Sequence, residues 1–206
     1  MNRPVTDMPI LLLAAGKSSR MRGADKLLQV VEGKPLIRRQ ADIACAITHG
    51  PVIVALPPQP HPRYDALHGA RVVPLPVADA SEGMNASLRS GFAALPATAK
   101  AAMLLLCDLP ELTADDLARV AVAHDPDSDT LIWRGTTQDG QPGHPIVFSA
   151  RLFDRFKSLT GDGGGHEVVK AAGQRVAHVP LPGYRARLDL DTPEDWANWR
   201  AARGET

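Results

Sequence analysis

Ile10-Leu11-Leu12-Leu13-Ala14-Ala15-Gly16-Lys17-Ser18-Ser19-Arg20-Met21-Arg22-Gly23-Ala24-Asp25-Lys26 is the stretch that decides the fold. It begins as a short apolar run, as a buried strand requires, and breaks at Ala-Ala-Gly into a small, polar, basic loop. Small residues let backbone N–H groups come close to phosphate oxygens. Arg20 and Lys26 can neutralise those oxygens, the first as a planar fork and the second as a point charge. The competing reading is a surface turn whose charges face water. The remainder of the chain decides between the two.

The length of 206 residues fits one domain spanning 1–206, with Met1–Pro9 as a loose terminus. A hydrophobic fraction of 44% suffices for a core, and the zero net charge argues against nucleic acid as a partner. The charge is uneven, with seven Lys/Arg and two Asp/Glu between Lys17 and Arg39. Between Asp108 and Asp129 there are seven Asp/Glu and one Arg. Such a pair of segments suits a site for phosphate and a divalent metal, and equally suits ordinary surface charge. Cys45 and Cys107 read as buried thiols of a reducing compartment. The seven His show no zinc-type spacing, and no apolar run reaches the ~18–20 residues of a membrane span. The expectation is a soluble, cytoplasmic protein.

Strands are expected at Ile10–Ala14, Val52–Leu56, Arg71–Leu75, Thr130–Trp133, His144–Phe148, Val176–Pro180 and Ala186–Leu190. The uninterrupted run Ala101–Leu106 reads as a central parallel strand covered on both faces. Helices are expected over Leu36–Ile47, Ala86–Leu95 and Ala114–His124, from Ser149, through Ala172 and from Pro193 to about Arg203. Thr113 and Thr192 have the character of N-caps, each followed by first-turn acids. This alternation implies a three-layer α/β fold with a mostly parallel central sheet, Rossmann-like in class. Ligands in such sheets sit beyond the carboxyl ends of the strands. The loops after Ala14, Leu75 and Leu106 should therefore share one rim.

Gly16-Lys17-Ser18 imitates the end of a Walker A loop, but Leu11 stands where that motif needs its first Gly. Asp108, just past a buried strand, is placed to hold Mg²⁺ between phosphate oxygens; the alternative is a turn carboxylate. Asp189 and Asp191 would share one face of a strand, and Asp191 is the favoured second ligand, unless it only supports the helix start at Thr192. Ser81-Glu82-Gly83-Met84-Asn85-Ala86-Ser87 brings small side chains and helix N–H groups to the rim, as a nucleotide requires, or is an ordinary loop-to-helix cap. His144, between Gly143 and Pro145, can bond an acceptor substrate or be structural.

These residues together resemble a known family. Ala14-Ala15-Gly16-x-Ser18-Ser19-Arg20-Met21 with Lys26-Leu27-Leu28 is similar to the N-terminal signature of nucleotidyltransferases of the sugar-nucleotide-transferase-like fold. Leu106-Cys107-Asp108-Leu109-Pro110 looks like their metal-binding aspartate motif. Glu82-Gly83-Met84, Gly143-His144-Pro145, Gly161-Asp162-Gly163-Gly164 and Asp189-Leu190-Asp191-Thr192-Pro193-Glu194-Asp195 narrow the resemblance. It is to the molybdenum cofactor cytidylyltransferase branch of the MobA-like NTP transferases.

The resemblance implies that Ala14, Ala15, Gly16, Ser18, Ser19, Arg20 and Lys26 bind the nucleotide, with Glu82, Gly83, Met84 and Ser87 across from them. It implies catalytic roles for Arg20, Lys26 and Asp108, Mg²⁺ on Asp108 and Asp191, and an acceptor side at Gly143, His144 and Pro145. The implied substrates are CTP and the terminal phosphate of the molybdopterin cofactor, with pyrophosphate released. A recipient molybdoenzyme or its insertion chaperone is an implied partner. Rival readings are a guanylyltransferase, a transferase for another phosphorylated acceptor, and a non-catalytic cofactor carrier. Ala15 stands where the guanylyltransferases usually carry a second Gly. Arg22 and His166 depart from the pattern, standing where relatives generally have Gly and many have Arg.

Overall fold

The computed structural model describes residues 6–204. The elements in chain order are β1 (Ile10–Leu13), β2 (Val30–Val31), β3 (Lys34–Pro35), α1 (Leu36–Ile47), β4 (Val52–Leu56), α2 (Pro62–Ala66), β5 (Val73–Pro76) and α3 (Met84–Ala93). There follow β6 (Ala101–Leu106), α4 (Ala114–Val122), β7 (Ile132–Thr136), β8 (Pro142–Ser149), α5 (Phe153–Phe156), α6 (His166–Ala172), β9 (Val176–Pro180) and α7 (Pro193–Ala202). A seven-stranded sheet has the order β5-β4-β1-β6-β8-β7-β9, and β2 and β3 form a separate small ribbon. β1 runs parallel to both β4 and β6, while β8 is antiparallel to β6 and β7. β8 is therefore the one inverted strand of a sheet otherwise parallel, as β7 and β9 are also parallel.

Successive strand residues face opposite sides of a pleated sheet. Ile10 and Leu12 accordingly join a core layer with Leu36, Ile37 and Ile47 of α1, Leu117 of α4 and Trp196 of α7. Leu11 and Leu13 join the opposite layer with Leu88 and Phe92 of α3, Phe156 of α5 and Val168 of α6. Burying each such Leu or Ile contributes about 1.5–3 kcal/mol. An apolar run with no polar alternation, such as β1, β4 or β6, is what a strand covered on both faces requires. β1, β5 and β6 all end on one rim, as expected for the loops that follow them.

Three expectations need correction. The Met1–Pro9 stretch is not loose where it is described: the Thr6 amide donates to the Ile47 carbonyl at 3.0 Å, and Met8 and Pro9 are buried. Its first five residues lie outside the described residues. Ala186–Leu190 is not a strand. The amides of Arg187 and Leu188 donate back to the Tyr184 carbonyl, so local turns consume the groups a ladder would need. The strand expected at Arg71 begins at Val73, because the Arg71 guanidinium is drawn to the carbonyls of Cys45 and Thr48 at 2.9 and 2.6 Å. Cys107 is a buried thiol, as read, and Cys45 is half-buried; both are free.

Candidate active site

The rim loops enclose a cavity of about 490 Å³. Its walls include Ala14, Ala15, Gly16, Ser18, Ser19, Arg20 and Lys26 from the first loop. Glu82, Gly83, Met84 and Ser87 face them from the start of α3, with Asp108 after β6 and Asp189 and Asp191 before α7. Every nucleotide and metal residue expected from the sequence thus lines one space. Gly143, His144 and Pro145 do not line it.

At its floor the Lys26 ammonium donates to Asp108 Oδ2 at 2.6 Å and to Asp191 Oδ1 at 2.7 Å. Arg20 closes the other Asp191 oxygen at 2.8 Å. Burial works against the charged ammonium, but the two carboxylates outweigh it and hold Lys26 above the ordinary lysine value. Asp189 is raised instead, by burial first and then by the charges of Asp191 and Asp108. Asp191 is tied from below: Asp195 Oδ2, half of the capping box that starts α7, accepts from the Asp191 amide at 3.2 Å and from the Thr192 amide at 2.9 Å. The helix start supports Asp191, rather than the reverse.

The first loop is braced from behind by Arg63, which sequence reading missed. This side chain is 1% exposed. It donates to the Ala14 carbonyl at 2.6 Å, to Ser18 Oγ at 3.1 Å and to both Asp25 oxygens at 2.8 Å. Its only local signal was an Arg at the start of a helix opened by Pro62. Ser18 itself turns the loop with a left-handed φ of 51°.

Across the cavity the glycine loop is latched to α3. The Met84 amide donates to Asp162 Oδ1 at 2.7 Å, and Glu82 accepts from the Gly161 amide at 3.1 Å while its two oxygens accept from Arg89 Nη1 and Nη2 at 2.9 and 2.6 Å. Gly83 has φ 125°, and a Cβ there would stand 2.6 Å from Asp162 Oδ1. The latch needs a glycine on both counts. Glu82 therefore spends its carboxylate on the loop.

His144 lies next to the cavity, on the inverted strand. Its amide donates to the Ala186 carbonyl at 2.8 Å, and a Cβ on Gly143 would stand 2.1 Å from that same oxygen. Nδ1 of His144 is buried with no partner. Burial, reinforced by Arg134, pushes the imidazole down to about 4, against the weaker pull of Asp108 and a Leu104 backbone hydrogen bond. Arg134 and Arg187 rest on successive carbonyls, those of Gly143 at 2.9 Å and Pro142 at 3.5 Å.

Residues 10–178 match the MobA-like NTP transferase domain family. The chain belongs to that family. A molybdenum cofactor guanylyltransferase of Burkholderia vietnamiensis is 36% identical over 122 residues, and the match spans 56% of this chain and 55% of that one. The chain thus spans about half the length of the curated relative it matches. The crystal structure of Rv0371c from Mycobacterium tuberculosis superposes with TM-score 0.76 and 28% identity, covering 94% of this chain and 97% of that one. A structure of Rv0371c in complex with manganese gives TM-score 0.76 and 25% identity, covering 93% and 97%.

In this MobA-like chain the fit of a divalent cation can be tested on the site itself. Among the described residues no three His, Cys, Asp or Glu are grouped to hold a metal ion alone. Mg²⁺ does not require such a cage, since it is usually held by one or two carboxylates and substrate phosphates. Asp108 and Asp191 already converge on one cationic centre, the Lys26 ammonium. Asp108 Oδ1 is buried and unpartnered. This donor set fits a divalent ion once phosphate oxygens join it.

Proposed function

We propose that this protein is a Mg²⁺-dependent nucleotidyltransferase that moves CMP from CTP to the terminal phosphate of the molybdopterin cofactor. The observation that carries this reading is the convergence of Lys26, Arg20, Asp108 and Asp191 over a small-residue loop at the sheet's carboxyl rim. An oxygen of the acceptor phosphate forms a bond to the α-phosphorus, the bond to the β-phosphate oxygen breaks, and pyrophosphate leaves with that electron pair. Such chemistry depends on positioning and charge neutralisation more than on a protein base. Asp108 and Asp191 would hold the metal, which supplies Lewis-acid neutralisation of phosphate charge. Amides of the Ala14–Ser19 loop cradle the phosphates, and Lys26 and Arg20 meet the charge that builds on the leaving side. Arg134 and Arg187, beside the neutral imidazole of His144, supply positive charge for an anionic acceptor.

Base choice rests on Ala15, which is 4% exposed in the cavity wall. A methyl group against the base edge excludes the wider purine by overlap, and one such contact discriminates by ~1–3 kcal/mol. The second reading is GTP, favoured by the Burkholderia relative, whose name gives guanylyl transfer. Measurement of kcat/KM for both nucleotides with one acceptor separates them. Wild type should prefer CTP about tenfold to two-hundredfold, and Ala15→Gly should narrow the gap by improving GTP use. Equal wild-type values, or a preference for GTP, would remove the cytidylyl assignment.

A further inference from the structure

Ala14, Ser18 and the Asp25-Lys26 pair are the beginning, the corner and the end of the loop that lines the cavity, and a single side chain from another part of the chain touches all three places. Arg63 comes from α2, in the connection between β4 and β5, 38 to 49 residues distant along the sequence. Its Nη1 bonds the Ala14 carbonyl, where β1 gives way to the loop. Its Nη2 reaches Ser18 Oγ, which in turn accepts from the Lys26 amide at 3.3 Å. Nε and Nη2 grip the two Asp25 oxygens as a fork. Asp25 also accepts from the Leu27 amide at 2.9 Å and so caps the turn that carries Lys26.

We infer that Arg63 is a positioning residue for nucleotide binding, the brace that holds the Ala14–Lys26 loop in its phosphate-receiving shape and aims Lys26 at the cavity floor. This rests on the proposed reading of that loop as the NTP site. The Arg63 side chain is 1% exposed and its guanidinium is engaged through all three nitrogens, so it acts through the loop and not by touching the ligand. A planar fork is required. A lysine at this position carries the charge but cannot span a carbonyl, a hydroxyl and both oxygens of one carboxylate. Simple deletion is a poor test, because Asp25 would be left as an uncompensated, largely buried charge and folding itself would suffer. Removing both partners avoids that penalty.

The test uses the full chain and isothermal calorimetry with CTP and with GTP, in Mg²⁺, on wild type, Arg63→Lys and the double variant Arg63→Met/Asp25→Asn. The double variant should melt close to wild type yet bind both nucleotides at least tenfold more weakly. Arg63→Lys should also bind both nucleotides at least tenfold more weakly, since both use the phosphate contacts that the loop makes. A double variant that folds and binds within twofold of wild type overturns the inference. Should the double variant fail to fold, Arg63→Lys decides by the same twofold criterion. A wild-type chain that binds neither nucleotide overturns the proposed function, and this inference with it.

Discussion

The two oxygens of Asp108 have opposite circumstances: Oδ2 accepts from Lys26 at 2.6 Å, while Oδ1 is buried with no partner. Leaving a buried acceptor unpaired costs about 1–3 kcal/mol, which a ligand-coordinating role would explain. Asp108→Asn should fold normally and release pyrophosphate about 10²–10³-fold more slowly; near-wild-type turnover in a folded variant would remove the metal role. His144 gives a pH prediction. Its ordinary value of 6.5 falls to about 4 in the folded protein, so between those limits the unfolded chain takes up a proton that the folded chain refuses. Stability is unaffected by this residue above 6.5 and declines as the pH falls towards 4, by at most about 3 kcal/mol. Urea midpoints at pH 7.5 and pH 5 should therefore diverge more for wild type than for His144→Gln. Identical pH dependences would show that the imidazole is not held neutral. At this scale, legibility followed sequence distance. The places of Asp108 and Lys26 on the rim could be read because a strand end and a small-residue loop are local patterns. Arg63 could not, because each of its partners at the loop lies 38 or more residues away. Glu82 lines the cavity wall as its place before α3 suggests, but the bond it accepts from the Gly161 amide depends on an approach of the glycine loop that only the fold creates.

Helix starts were the most readable elements. Thr113 with Asp116 and Thr192 with Asp195 both form capping boxes, and their residue types and spacing announce them. The second box does more than begin α7, since Asp195 also holds the Asp191 backbone. Asp195→Ala should cost about 1 kcal/mol of stability as a lost cap, and should raise the Mg²⁺ concentration needed for half-maximal pyrophosphate release severalfold. An unchanged metal titration would separate the cap from the site. The Ala186–Leu190 segment misled because its apolar residues alternate, a strand pattern, while its amides are already used in turns around Tyr184. Alternation reports which side of a chain is buried; it does not report whether a neighbouring ladder exists. Gly143 is the counterpart in β8, where the close approach of the Ala186 carbonyl leaves no room for a side chain.

The uneven charge of the sequence acquires a meaning in the whole molecule, since Lys26 of the basic segment meets Asp108 of the acidic one across the rim, while Arg20 pairs with Asp191. A ligand that binds only the folded chain stabilises it by about 2.7 kcal/mol at a hundred times its Kd. For a chain of this size that is a rise in Tm of about 5–10 °C. CTP with Mg²⁺ should produce such a rise and CTP with EDTA a markedly smaller one; equal shifts in both would argue against a shared site for phosphate and cation. The three-layer architecture was legible because hydrophobic runs and helical patterns alternate along the chain. The inverted strand carries a consequence of its own. β7 and β8 are joined by the short turn at residues 137–141 and pair with each other, so their hairpin holds its own register. The His144 side of the rim hangs from this hairpin, whereas the Ala14–Lys26 loop hangs from β1. Lengthening or reshaping that turn would move the His144 side of the rim while β1, held between β4 and β6, keeps its register, so the two sides of the rim are separately adjustable parts.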